Sequence, residues 1–255
     1  MEEIDSVHLK FKHPFNMTVA GPSACGKTSF VRKLLAKYDT LTTLDVPRLR
    51  VFWAHGQAQQ VHQREISEFV DVTYFEGMPS ETHVLETSPH ILILDDLMVE
   101  AASSGKTLVT FLSRFSHHNN ISIIYLTQNL YFNGKNTTDA NRQSHYTVVF
   151  RNSRDKSIAI TLGKQLAPYN KSHFYGSFHD ATKKPYSYLL IDAHPTTPEE
   201  LLLKTNIFSE QEDECTCDVY FENGEYLNKL KELDQTVLIF NKREKNSVKV
   251  SEPAK

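Results

Sequence analysis

Short apolar runs alternate with stretches of helical spacing along most of the chain, which predicts βαβ units and a mostly parallel sheet flanked by helices. Met17 to Ala20 reads as the first strand, and Lys27 to Tyr38 as the helix after it. "RLRVFWA", bounded by Pro47 and Gly56, reads as a second strand, and the Gln/His/Glu-rich stretch that follows is expected to be helical to about Phe69. "HILILDD" is a buried strand that ends in two acids. Thr107 to His118 has helical spacing in Leu108, Phe111, Leu112 and Phe115, and "ISIIYLTQ" is another buried strand. "HYTVVF" and "YSYLLID" supply further strands, with a helix expected near Asp155 to Leu166 between them. From about Ser209 the pattern changes to an acidic linker, "SEQEDECTCD", then to an expected helix reaching Phe240 and a lysine-rich end. The boundaries that follow are an α/β domain over 1–208 and a linker with a helical appendage over 209–255.

The first strand runs into Gly21-Pro22-Ser23-Ala24-Cys25-Gly26-Lys27-Thr28, which matches G-x-x-x-x-G-K-[ST] between a strand and a helix, and Ser29 follows directly. Glycines at both ends let the backbone wrap phosphates so that its N–H groups and the helix N-terminus face negative charge. Lys27 then reaches the β- and γ-phosphates of ATP, and the Thr28 hydroxyl ligates Mg²⁺. A second "SSGKT", Ser103 to Thr107, has Glu100 where the first glycine would stand and no strand leading into it, so it reads as a helix start.

"ILILDD" places Asp95 to hold the Mg²⁺ and Asp96 to orient or deprotonate the attacking water; capping the next helix is the plainer role for Asp96. Thr127 and Gln128 emerge from the "ISIIYLTQ" strand, where Gln128 can hold that water or sense the γ-phosphate, or simply close the strand end. His117 and His118 at a helix end suit capping the dipole better than zinc, and Cys215 and Cys217 lack a second pair.

Composition narrows the setting. The chain has 255 residues, 40% hydrophobic and 23% charged, which suits one larger α/β domain with a tail. Its formal net charge is -3, so any nucleic-acid contact must be local. Between Asn133 and Lys184 nine lysines and arginines face three acids, a local excess suited to salt-sensitive phosphate contacts if it gathers on one face. Three cysteines form no disulfide framework, and a thiol in a nucleotide loop suits a reducing compartment. The first residues, MEEIDSVHLK, have no signal-peptide core, and no apolar run approaches the roughly 18 residues of a membrane span. A soluble, intracellular protein without a membrane partner is the expectation.

With these residues placed, the chain resembles the genome-packaging ATPases of the FtsK–HerA superfamily, and is similar to the poxvirus-type branch found in adintoviruses and Polinton/Maverick elements. The matching stretches are "HPFNMTVAGPSACGKTSFV", "VTYFEGMP", "ILILDDLM", "SHHNNISIIYLTQNLYF", "HYTVVFRNSRDKSIAITLGKQLAP" and "PYSYLLIDAHPTTPEELLLKTNIF", covering about His13 to Phe208. The resemblance implies a phosphate-loop ATPase of the additional-strand type, with Ile121 to Leu126 lying between the loop strand and the Asp95 strand. It also implies a homo-oligomeric ring that moves double-stranded DNA into a capsid, a capsid vertex protein as partner, and work in the host nucleus, at a cytoplasmic assembly site or with the virion. An arginine supplied by a neighbouring subunit completes such a site, and Arg154 in "FRNSRDK" is the first choice, ahead of Arg142 and Arg151. The alternatives are a helicase or DNA-processing ATPase of the same superfamily, a non-catalytic nucleotide-binding assembly protein, and, third, a small-molecule kinase.

Overall fold

The computed structural model describes residues 10–56, 66–97, 110–131, 143–208, 217–220, 238–241 and 246–248. The chain forms two compact units, one over Phe11–Val148 and the other over Val149–Lys255 with Met1–Lys10.

In the first unit, β1 (Asn16–Ala20) leads into α1 (Lys27–Ala36) and the short α2 (Tyr38–Leu41). Then come β2 (Leu49–His55), β3 (Val70–Glu76), α3 (Glu81–Thr87) and β4 (Ile91–Asp95). A π-helical turn, Phe111–Phe115, runs into α4 (Ser116–Asn119), and β5 (Ser122–Thr127) follows. The strands lie in the order β1-β5-β4-β2-β3, and all four pairings among them are parallel. β5 therefore sits between the loop strand and the acidic strand, as the additional-strand expectation required. β6 (Tyr146–Phe150), whose first residues belong to this unit, lies beside β1.

Every residue of β1, β4 and β5 is buried, which is why these strands read as unbroken apolar runs. Because side chains alternate across a strand, the sheet buries two different sets. Phe52, Ala54, Leu92, Leu94, Ile123 and Tyr125 pack with Val84 of α3 and with Phe111, Leu112 and Phe115. Trp53, Ile93 and Asp95 alternate with that set and belong to the opposite face. α1 buries Phe30, Val31, Leu34 and Leu35, one stripe at helical spacing.

The second unit carries α5 (Ser157–Leu166), α6 (Lys171–Ala181), β7 (Tyr188–Asp192), β8 (Leu203–Thr205) and β9 (Asp218–Tyr220). β8 pairs antiparallel with both β7 and β9. The two helices pack closely at Gly163, where a Cβ would come within 2.7 Å of the Tyr175 ring. Lys204 and Asp192 form a buried ion pair, and Thr197 Oγ1 donates to the other Asp192 oxygen at 2.8 Å. β10 (Leu238–Asn241) pairs parallel with β9 and antiparallel with β11 (Asn246–Val248).

Several local expectations are corrected. Residues 66–69 are not helical: the chain turns at Glu68 and Phe69 straight into β3, whose "VDVTY" carries the alternation of a half-buried strand. The rest of that expected helix, 57–65, lies outside the described residues, as does "SSGKT". The tail is strand, not helix, where it reaches Leu238–Phe240, while 221–237 lie outside the described residues. Cys217, Val219 and Tyr220 are buried, so this part of the tail is packed against its own unit. Hydrogen bonding to β8 outweighs the weak helical signal of so short a segment.

Candidate nucleotide site

The site gathers where parallel strands of the first unit end, the usual place for a ligand in an open α/β sheet. Gly21 N–H donates to the Thr127 carbonyl at 3.1 Å, which ties the start of the loop to the end of β5. Gly26 then takes φ 110°, a left-handed conformation that a side chain would oppose, and opens α1 as its N-cap. α1 has no side-chain cap and no acid in its first turn. By contrast α3 is capped by Ser80, which accepts from His83 N–H, and α6 by Asn170, which accepts from His173 N–H. The uncapped N–H groups of α1 and its positive dipole end are thus left to an anion such as a phosphate.

Lys27, the first residue of α1, is turned back over the loop, its ammonium donating to the carbonyls of Gly21 at 2.8 Å and Pro22 at 3.1 Å. Ser23, Ala24, Thr28 and Ser29 are exposed, while Gly21 is buried and Pro22, Cys25 and Gly26 are half-buried. Burial pushes the Cys25 thiol above its ordinary pKa, against the pull of Lys27, so it stays protonated and unreactive at neutral pH. Lys27→Ala removes the loop's cation, and nucleotide affinity is expected to fall by about 10²–10³-fold, the cost of losing one partner of a close charge pair. Wild-type binding in that variant, measured with a fluorescent ATP analogue, would remove the loop from the site.

Asp95 closes β4 and is buried. Trp53 Nε1 donates to Asp95 Oδ2 at 3.3 Å, so the carboxylate is held by an indole from the neighbouring strand. Burial pushes the Asp95 carboxyl above the usual carboxylate range, and the Asp96 charge adds to this, whereas the Trp53 hydrogen bond, Lys27 and His55 oppose it. Such a carboxylate fits a divalent cation, whose positive charge would offset the solvation that burial removes; Thr28, at the start of α1, could offer the second oxygen. In metal- and nucleotide-free buffer Asp95→Asn should therefore melt higher than wild type. A gain of ~0.5–2 kcal/mol is typical of relieved functional strain, at roughly 2–4 °C per kcal/mol for a chain of this size. Because the folded pKa is raised, the wild-type carboxyl costs nothing at low pH and destabilises as pH rises through its folded value. The gap in Tm should be widest at neutral pH and close towards the ordinary pKa of about 3.9.

Asp96 follows with φ 52°, a left-handed conformation that aspartate tolerates. Its N–H donates to the Leu126 carbonyl at 3.3 Å. Gly56 permits a close crossing here, since a Cβ at that position would meet the Asp96 carbonyl oxygen at 3.1 Å. Gln128, exposed just beyond β5, donates from Nε2 to both Asp96 oxygens, at 3.3 and 3.1 Å. Thr127 fixes the turn that delivers it: its hydroxyl donates to the Asn129 carbonyl at 3.1 Å. Asp96 and Gln128 are thus one hydrogen-bonded unit at adjacent strand mouths, able to hold a water and take its proton.

Of the expected site residues, Gly21 to Ser29, Asp95, Asp96 and Gln128 all lie in the first unit. Arg154 and Arg151 belong to the second unit and are exposed. The Arg154 backbone N–H donates to Asn152 Oδ1 at 3.0 Å, and the residue lies ahead of α5, which begins at Ser157. Arg142 lies outside the described residues. His117 and His118 fall in the last turn of α4, and no metal-binding group of three ligands occurs among the described residues. No helix among them is long and apolar enough to cross a membrane. Sequence reasoning missed Trp53 and His55, which stand beside Asp95 only because β2 is the neighbour of β4.

No protein-family model and no curated protein sequence matches the chain. Among solved structures it is similar to the genome packaging NTPase B204 from Sulfolobus turreted icosahedral virus 2 in complex with ATP-gammaS, at 14% identity and TM-score 0.44, over 71% of this chain and 93% of that one. The same protein in complex with AMPPCP matches at 13% identity and TM-score 0.44, over 70% and 92%. The Legionella pneumophila ATPase DotB matches at 11% identity and TM-score 0.34, over 70% of this chain and 54% of its own. These likenesses are loose, and the assignment of a phosphate-loop α/β fold rests on the chain's own strand order and loop.

Proposed function

We propose that this protein is a Mg²⁺-dependent ATP hydrolase that works as a homo-oligomeric ring and drives double-stranded viral DNA into a capsid. The observation that carries the hydrolase reading is the Asp96–Gln128 pair beside the phosphate loop. A domain that only bound nucleotide would use the loop, Lys27 and Asp95, and would have no use for a second acid with an amide set on it. In this reading the loop from Gly21 to Ser29 holds the ATP phosphates and Thr28 and Asp95 hold the Mg²⁺. Bound there, Mg²⁺ would supply positive charge against the phosphate oxygens, while Asp96 with Gln128 would orient the attacking water and take its proton.

The DNA work draws on the family resemblance of "DDLM", "SHHNNISIIYLTQN" and "NSRD". It is further supported by Arg151, Arg154, Lys156, Lys164, Lys171, Lys183 and Lys184 of the second unit, all exposed and suited to phosphate contacts. The test is ATP turnover with and without duplex DNA, with oligomeric state measured in the same sample. Turnover that rises with duplex, loses the rise at high salt and accompanies ring formation is the expected result. Turnover indifferent to duplex would remove the DNA motor, and strand separation in place of duplex translocation would make the protein a helicase.

A further inference from the structure

Trp53 is the only tryptophan in the chain, and its side chain is fully buried. An indole N–H donates and cannot accept, and a buried donor left without a partner costs about 1–3 kcal/mol. In a strand whose neighbours are apolar, phenylalanine would fill such a place without that liability. Here the N–H is directed to Asp95 Oδ2 at 3.3 Å. The register makes this reach possible: Trp53 pairs with Ile93, and Asp95 is the next residue on the same face of β4. On the other side the indole lies against Tyr74 of β3, with ring centroids 6.0 Å apart and planes 33° apart, which sets its tilt. The residue just after β2 also holds the backbone of the acid, since Gly56 N–H donates to the Asp95 carbonyl at 3.3 Å.

We propose that Trp53 is a positioning residue for the metal site: its indole N–H fixes the Asp95 carboxylate by one oxygen so that the other is presented to Mg²⁺. The inference rests on the Mg²⁺-dependent ATPase reading above. A hydrogen bond that orients a ligating carboxylate changes metal affinity by about 10–100-fold in well-studied sites.

The lone tryptophan gives a clean test, because growth on β-(3-benzothienyl)alanine replaces this indole N–H by sulfur and alters no other position. Trp53→Phe serves as a second variant. A fluorescent ATP analogue is titrated in EDTA and then with Mg²⁺, and the Tm of each protein is recorded. The benzothienyl protein should melt somewhat lower than wild type in EDTA, because the buried Asp95 carboxylate loses its indole donor. It should keep wild-type nucleotide affinity in EDTA, yet need at least about tenfold more Mg²⁺ to reach the tightly bound state. In wild type, Mg²⁺ added with ADP should shift Trp53 emission, and in Asp95→Asn it should not. An unchanged Mg²⁺ requirement in the benzothienyl protein overturns the positioning role while leaving the ATPase reading intact. Nucleotide binding by wild type that is indifferent to Mg²⁺ overturns both.

Discussion

Asp96→Asn is expected to bind ATP with Mg²⁺ at close to wild-type affinity and to hydrolyse it about 10²–10⁴-fold more slowly, the usual worth of a positioned general base. The substitution keeps the shape and the left-handed backbone, since asparagine tolerates that conformation as aspartate does. Gln128 still has an oxygen to donate to, so the turn at the end of β5 is undisturbed. What goes is the negative charge that accepts a proton from water. Gln128→Ala leaves that charge in place and should cost less, because it removes only the donor that now sits on both Asp96 oxygens. Asp95→Asn should fail differently, by weakening Mg²⁺-dependent binding, so the two acids separate in a binding assay even where both lose turnover. Single-turnover rates in saturating Mg²⁺ check the assignment. If Asp96→Asn turned over at the wild-type rate, the water-activating role would have to pass to Gln128 or leave this site.

The phosphate loop was legible because its chemistry is local: two glycines, a lysine and a threonine must stand at fixed offsets between a strand and a helix. β1, β4 and β5 were legible because strands buried on both faces must be apolar throughout. β3 was not: "VDVTY" does carry the alternation of a half-buried strand, with only Val70 fully buried, but it is short and directly follows the polar stretch that reads as helix. The Asp96–Gln128 contact joins residues 32 apart and depends on β5 inserting between β1 and β4. Spacing alone could name both residues but could not bring them together. Trp53 is the clearest case of what was hidden. A tryptophan in an apolar run reads as core, and only the β2–β4 register turns its N–H into a partner for the acid. The short strands β8 and β9 were hidden for another reason: three residues each carry too little pattern, and pairing decides their structure.

Arg154→Ala is expected to lower ATP turnover in assembled rings by about 10³–10⁵-fold, the worth of a cation brought to the γ-phosphate in the transition state. If Lys27 serves the ground-state phosphates, as proposed, the charge that spreads over the transferring group calls for a second cation. The first turn of α1, Lys27 to Phe30, offers no other cation. Arg154 is exposed, and its backbone is fixed by the Asn152 side chain, so the guanidinium has a defined base from which to reach a neighbouring subunit. Asp155 is occupied nearby: its carboxylate accepts from Ser157 N–H and Oγ at 2.9 and 2.5 Å, which holds its pKa below the usual range. If the arginine acts in trans, specific activity should rise with protein concentration as rings form. Mixing Arg154→Ala with Lys27→Ala subunits should then restore measurable turnover, because the Lys27→Ala subunit lends its arginine to an intact loop next door. A mixture that stays as inactive as its parts, in confirmed mixed rings, would count against supply of Arg154 in trans. Wild-type turnover by Arg154→Ala rings would pass the role to Arg151 or Arg142, and activity independent of concentration down to the monomer would end the ring reading itself.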